Sequence, residues 1–177
     1  MGITSDGEYF DGEFESVSTS KAMIDALNAV SVDEMHVTEC VLLPDDAKNS
    51  MSVVSASDYV ISFEEKCSTE EKSKLLGSVM DFMVQKEIVI LKKTKKSERE
   101  ENIKPGIMKC ELRGDSMYML LSTGSEYNLK PELVMQALYS FSGIEHNQFH
   151  YHIHRLETYM DSPKGGIMPL YQAGTSF

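Results

Sequence analysis

Nine of the chain's 17 basic side chains lie between Lys86 and Arg113, and at their centre is the run Lys92-Lys93-Thr94-Lys95-Lys96. Clustered lysines supply salt-dependent attraction for phosphates without base specificity. The surrounding chain has the opposite sign. Residues 1–85 carry a net charge of −12, residues 86–113 carry +4 and residues 114–177 carry −3, giving −11 in all. An acidic surface repels nucleic acid and anionic membranes over about a Debye length of 8 to 10 Å, so only a local patch such as this one can overcome it. Lys104, Lys109 and Arg113 adjoin the run, and Tyr118 and Tyr127 are the aromatics nearby that could stack on bases. Lysines at a strand end also blunt a sheet edge against unwanted pairing, which is the bland reading of the same residues.

A second group is His150, His152 and His154. At i, i+2 and i+4 on a strand, all three are expected on one face about 7 Å apart, with Glu157 on the opposite face. A His-x-His pair can chelate zinc, but usually with a third ligand from elsewhere. Phe149, Tyr151 and Ile153 are the better core side, which leaves the histidines wet, so neither a metal nor a cofactor is expected. Other groups read as structure. Arg113-Gly114-Asp115-Ser116 reads as a hairpin turn and Thr123-Gly124-Ser125 as a turn; Asp11, Glu13 and Glu15 are solvated acids, and the 12 methionines are core filler. Cys40, Cys67 and Cys110 suit neither a disulfide framework nor a Cys-x-x-Cys metal site and are expected to be reduced. No nucleophile, base and orienting acid stand out together.

The elements that must position these residues follow from periodicity. Alternation over Glu8–Glu15 predicts a strand. Ser18–Ser20 offer N-cap oxygens for a helix whose apolar face is Ala22, Met23, Ala26, Leu27 and Val30. Met35–Leu43 reads as another strand, and residues 47–56 as a short helix. Tyr59–Glu65 alternates as a strand. Ser68-Thr69-Glu70-Glu71 then has the form of a capping box, in which Ser68 and Glu71 satisfy each other's backbone N–H groups. Leu75, Leu76, Val79, Met80 and Met83 make that helix's buried stripe. Glu87–Leu91 is a β-branched strand, and charged residues 97–102 read as a mobile loop.

Ile107–Leu112 and Met117–Leu121 form a hairpin. Pro131 opens a helix buried through Leu133, Val134, Ala137, Leu138 and Phe141, with Gly143 as its cap. Phe149–Tyr159 returns as a strand. The resulting order predicts an α+β fold of ferredoxin-like βαβ units, antiparallel sheets with helices packed on one face. Residues 1–57 are expected to be an incomplete β-α-β unit, 58–160 a β-α-β-β-β-α-β domain and 161–177 a loosely ordered tail. With no run of about 18 apolar residues and no signal-peptide pattern at Met1–Glu8, no membrane partner and a cytoplasmic location are expected.

The succession Gly2–Tyr9, Ala26–Ala29, Lys92–Lys96, Ile103–Pro105, Thr123–Ser125, Asn128–Glu132 and Ile153–Glu157 resembles the uncharacterised radical SAM-linked proteins, from Gly2 to about Met160. These occur fused to the C-terminus of radical SAM proteins or encoded separately. The family's usual N-terminal stretch, with a His-Leu-Asp and a Gly-Phe-Asn-Pro-His segment, is absent, so the chain is expected to be truncated at its start. The Cys-x-x-x-Cys-x-x-Cys spacing of radical SAM enzymes is absent too. What the resemblance implies is a partnership with a radical SAM protein, with any radical chemistry belonging to that partner. Of the three histidines, only His154 falls in the resembling stretches, beside Arg155.

The leading expectation is a non-catalytic accessory module that binds an anionic partner such as RNA through Lys92, Lys93, Lys95 and Lys96, with Lys104, His154 and Arg155 as further binding residues. The alternatives are a protein-interaction domain that docks on a radical SAM protein, and an enzyme whose site the missing N-terminal part completes.

Overall fold

The computed structural model describes residues 2–93, 98–125 and 127–177. Its centre is a six-stranded sheet flanked on one face by two helices, with a separate two-stranded ribbon. The strands are β1 (Thr4–Ser5), β2 (Val54–Phe63), β3 (Val89–Lys93), β4 (Glu98–Asn102), β5 (Ile107–Arg113), β6 (Ser116–Ser122), β7 (Tyr151–Asp161) and β8 (Ile167–Pro169). The helices are α1 (Ser20–Asn28), α2 (Ser50–Val53), α3 (Thr69–Val84) and α4 (Pro131–Phe141).

In the large sheet the order is β1-β7-β2-β6-β5, with β8 added on β7. The inner four strands pair antiparallel, and the connections β2-α3-β5 and β6-α4-β7 are two interleaved βαβ units. This is the ferredoxin-like arrangement, and the α+β fold class expected from the sequence is the observed one. The reason is local. Val134, Leu138 and Tyr139 of α4 and Leu75, Val79 and Phe82 of α3 are buried against Tyr59, Ile61, Met117, Met119, Tyr151 and Ile153, which share one side of the sheet. Gly114, at φ +60°, makes the tight β5–β6 turn, and Gly143, at φ +63°, ends α4.

Several elements differ from expectation. Residues 8–15 form no strand; Phe10 and Phe14 are exposed, because alternation supplies a pattern but no neighbouring strand takes up its backbone groups. Residues 35–43 likewise contribute one bridge, Leu42 to Thr175, in place of a strand. Helix α1 forms on its Thr19 cap yet buries no residue. The charged segment 98–102, expected to be a loop, is β4, because β3 offers it a full antiparallel ladder from Lys93↔Glu98 to Val89↔Asn102. Phe82 takes the place expected for Met80, which is exposed. The tail after Asp161 is tied down: β8 pairs with β7, Leu170 is buried, and the Phe177 carbonyl accepts from the Ser20 N–H.

Candidate functional site

The β3–β4 ribbon is fixed to the core at its base. The Ile103 N–H donates to the Ile88 carbonyl at 2.8 Å, and both side chains are buried. Lys92 and Lys93 lie on β3; Lys95 and Lys96 lie outside the described residues. The positive charge of this region is partly compensated. Lys92 Nζ lies 3.1 Å from Glu101, which also receives Arg99 at 3.1 Å. Hydrogen bonds from these two cations hold the Glu101 carboxyl below the usual carboxylate range.

Lys104 does not join this surface. Its ammonium donates to the Met83 carbonyl in the last turn of α3, where a cation meets orphan carbonyls and the negative end of the helix dipole. Nor do the tyrosines offer platforms equally. Tyr118 is 8% exposed, its ring lies under the Arg113 guanidinium at 3.5 Å, and its hydroxyl donates to buried Asp58 at 3.0 Å. Tyr127 is 37% exposed.

The three histidines do not share a face. His152 and His154 pair with Ser62 and Val60 and point away from the helices. There the Thr4 hydroxyl lies 2.7 Å from His152 Nε2 and 2.8 Å from His154 Nδ1, and Asp6 lies 2.8 Å from His154 Nε2. Arg155 is paired with Glu8 and donates to the Gly7 carbonyl. Residues 4–8 thus occupy both residues expected to bind a partner here. A register shift between Asp58 and Tyr59 sets Glu157 opposite Asp58, so Glu157 returns to the histidine face instead of the opposite one.

His150 precedes β7, outside its alternation, and faces α3. Its Nδ1 lies 2.8 Å from Glu71 Oε1, and its Nε2 lies 2.9 Å from Asn147 Nδ2. The same Glu71 oxygen accepts from the Tyr139 hydroxyl at 3.0 Å. Ser68 Oγ accepts from the Glu71 N–H at 3.1 Å, as a capping box requires, but the Glu71 carboxylate is directed across to Tyr139 and His150. Cys67 completes the group: its sulfur, a Glu71 oxygen and a His150 nitrogen all lie within 4.8 Å of one another.

Burial pushes the Glu71 carboxyl up, but the hydrogen bonds from His150 and Tyr139 outweigh it and leave the acid below its ordinary range. Burial, then the Glu71 charge, push the Cys67 thiol up to about 11, so the free thiol is protonated and a poor nucleophile at neutral pH. Burial lowers the neighbouring His146, whose Nε2 lies 2.8 Å from the Tyr151 hydroxyl. Sequence reasoning missed this cluster. Its one local sign is the four-residue step from Cys67, just before the N-cap of α3, to Glu71 in the first turn of that helix.

Among the described residues no helix is long and apolar enough to cross a membrane. No curated protein and no solved structure matches the chain. A family model described as an uncharacterized protein conserved in bacteria (DUF2344) matches residues 1–131, a stretch that holds Cys67, Glu71 and the whole ribbon but ends before His150. That description says nothing of radical SAM proteins. With about three quarters of its length matched, the chain belongs to the uncharacterised bacterial family DUF2344.

Proposed function

We propose that this protein is a non-catalytic accessory module that holds RNA on the β3–β4 ribbon and serves a radical SAM protein, the partner that the family resemblance implies. The observation that carries the reading is the insertion between α3 and β5. A two-stranded ribbon, rooted at Ile88 and Ile103, leads Lys92 and Lys93 into the connection that holds Lys95 and Lys96. An acidic protein that gathers lysines at one place keeps its attraction for phosphate local. Lys104, His154 and Arg155 drop out of the binding set, because α3 takes the first and Asp6 and Glu8 take the other two.

The test is fluorescence anisotropy with labelled tRNA and a single-stranded RNA over a salt series. Binding is expected to weaken with salt at a log–log slope of about −0.7 for each phosphate contact on a single strand. Changing Lys92, Lys93, Lys95 and Lys96 together to Gln is expected to abolish it at low salt. Unchanged binding by that variant overturns the proposal.

A protein-docking reading has one observation of its own. Val89 and Leu91 on β3 are 51% and 55% exposed, and among the described residues β3 pairs with β4 alone. A strand of the radical SAM partner could add to that edge. Co-purification that survives nuclease treatment and is lost in Leu91→Lys supports docking; loss of the partner on nuclease treatment supports RNA as the bridge.

A further inference from the structure

We propose that Cys67, Glu71 and His150 bind one divalent cation of the zinc class. They come from two segments, the start of α3, where Cys67 precedes the N-cap and Glu71 lies in the first turn, and the approach to β7, which carries His150. Their ligand atoms already lie within 4.8 Å of one another. A tetrahedral ion with bonds of about 2.0 to 2.3 Å sets its ligands about 3.3 to 3.8 Å apart, so closure requires movements of about 1 Å at the side-chain ends. Glu71 and His150 are partly open to solvent, which leaves room for a water in the fourth position.

The donor set selects the ion. A thiolate and a carboxylate balance two positive charges, the imidazole is neutral, and sulfur with nitrogen favours zinc over the oxygen-seeking magnesium and calcium. On binding, the Cys67 thiol gives one proton to solvent. The surroundings hold the ligands in place: Ser68 caps α3, and the Tyr139 hydroxyl fixes Glu71.

One neighbour changes role. As the hydrogen bonds stand, His150 Nδ1–H donates to Glu71, while the Asn147 amide N–H donates to Nε2 and its oxygen accepts from the Phe149 N–H. Coordination through Nδ1 places the imidazole proton on Nε2, so Asn147 must turn its amide oxygen toward the ring and give up Phe149. Asn147 therefore opposes loading, whereas a carboxylate at 147 would accept from Nε2–H directly and reinforce the ligand.

The full chain, dialysed against a chelator, is titrated with zinc under chelator competition and separately with cobalt(II). One equivalent of zinc is expected, together with thiolate-to-cobalt charge-transfer absorption. Cys67→Ser is expected to abolish that absorption, and Cys67→Ser, Glu71→Gln and His150→Gln each to weaken zinc by at least about tenfold. Asn147→Asp is expected to tighten zinc by about tenfold, a gain that misfolding cannot produce. The double variant His152→Gln/His154→Gln, on the other face, is expected to bind as the native chain does. Zinc uptake unchanged in Cys67→Ser, uptake lost only in the His152/His154 variant, or no uptake together with no gain in Asn147→Asp overturns the proposal.

Discussion

Glu71, three residues into α3 from its cap, accepts a 3.0 Å hydrogen bond from the hydroxyl of Tyr139, a fully buried residue of α4. The two helices lie side by side on the sheet, and this bond joins the start of one to the second half of the other. A carboxylate within the first turn of a helix also meets the positive end of the helix dipole, so the charge sits favourably without the reciprocal capping bond. Glu71 thus links α3, α4 and the approach to β7 through a single oxygen.

Removing the hydroxyl should expose the strength of that link. Tyr139→Phe keeps the ring and its edge-on contact with His146 at 5.2 Å, and it is expected to lower unfolding free energy by about 1.5 to 3 kcal/mol, the range for hydrogen bonds to charged groups. Glu71→Gln should cost less. In a double-mutant cycle by urea denaturation of chelator-treated protein, the pair is expected to show coupling above about 0.5 kcal/mol. Additive costs would mean that the bond contributes nothing in solution.

Alkaline stability should depend on a different pair of tyrosines. Burial, then the Asp58 charge, raise Tyr118 to about 12, and the same causes raise Tyr159; both hydroxyls donate to Asp58 Oδ2. An unfolded tyrosine ionises near about 10, so between about pH 10 and 12 the folded state holds more protons than the unfolded one. The stabilisation is complete below about pH 10 and is lost as pH rises through that window. Tyr118→Phe should therefore show a shallower fall in urea midpoint over this range than the native chain. Parallel slopes would contradict it.

Those residues show how far the sequence reaches. The β5–β6 hairpin, the Pro131 start of α4 and the Ser68 cap were legible because each depends on backbone demands a few residues long. Strand β4 was not, since Glu98–Asn102 has no apolar alternation and is a strand only by pairing with β3. Likewise the face of Glu157 depends on one bulge in β7, which no local signal marks. The Glu71–His150 contact spans 79 positions and arises only after α3 and β7 dock. Local chemistry can be read from spacing; convergence across the sheet requires the fold.

Two glycines should respond in opposite directions to alanine. Gly77 lies inside α3 with open space around an added Cβ, so Gly77→Ala is expected to stabilise by about 0.5 to 1 kcal/mol through the lower entropy of the unfolded chain. At Gly124 an added Cβ would collide with the Val54 carbonyl oxygen, part of the backbone and unable to move aside cheaply. Gly124→Ala is expected to destabilise by about 1 to 3 kcal/mol. Thermal melts of the two variants beside the native chain check both signs.

The ribbon's ion pairs give the RNA proposal a prediction in the direction of gain. Glu101 engages Lys92 and Arg99 at 3.1 Å each, so it competes with any phosphate for the same cations. Glu101→Gln removes the competitor and keeps the shape. Affinity for single-stranded RNA at low salt is expected to rise several-fold, and the log–log salt slope to steepen by about 0.7 for each cation freed. Lys92→Gln in the Glu101→Gln background should reverse about half of the gain. A general charge effect would instead raise affinity equally when a remote acid such as Glu132, at the start of α4, is neutralised. Equal gains from Glu101→Gln and Glu132→Gln would remove the ribbon from the account, since Glu101 is the acid that bonds Lys92 on the ribbon.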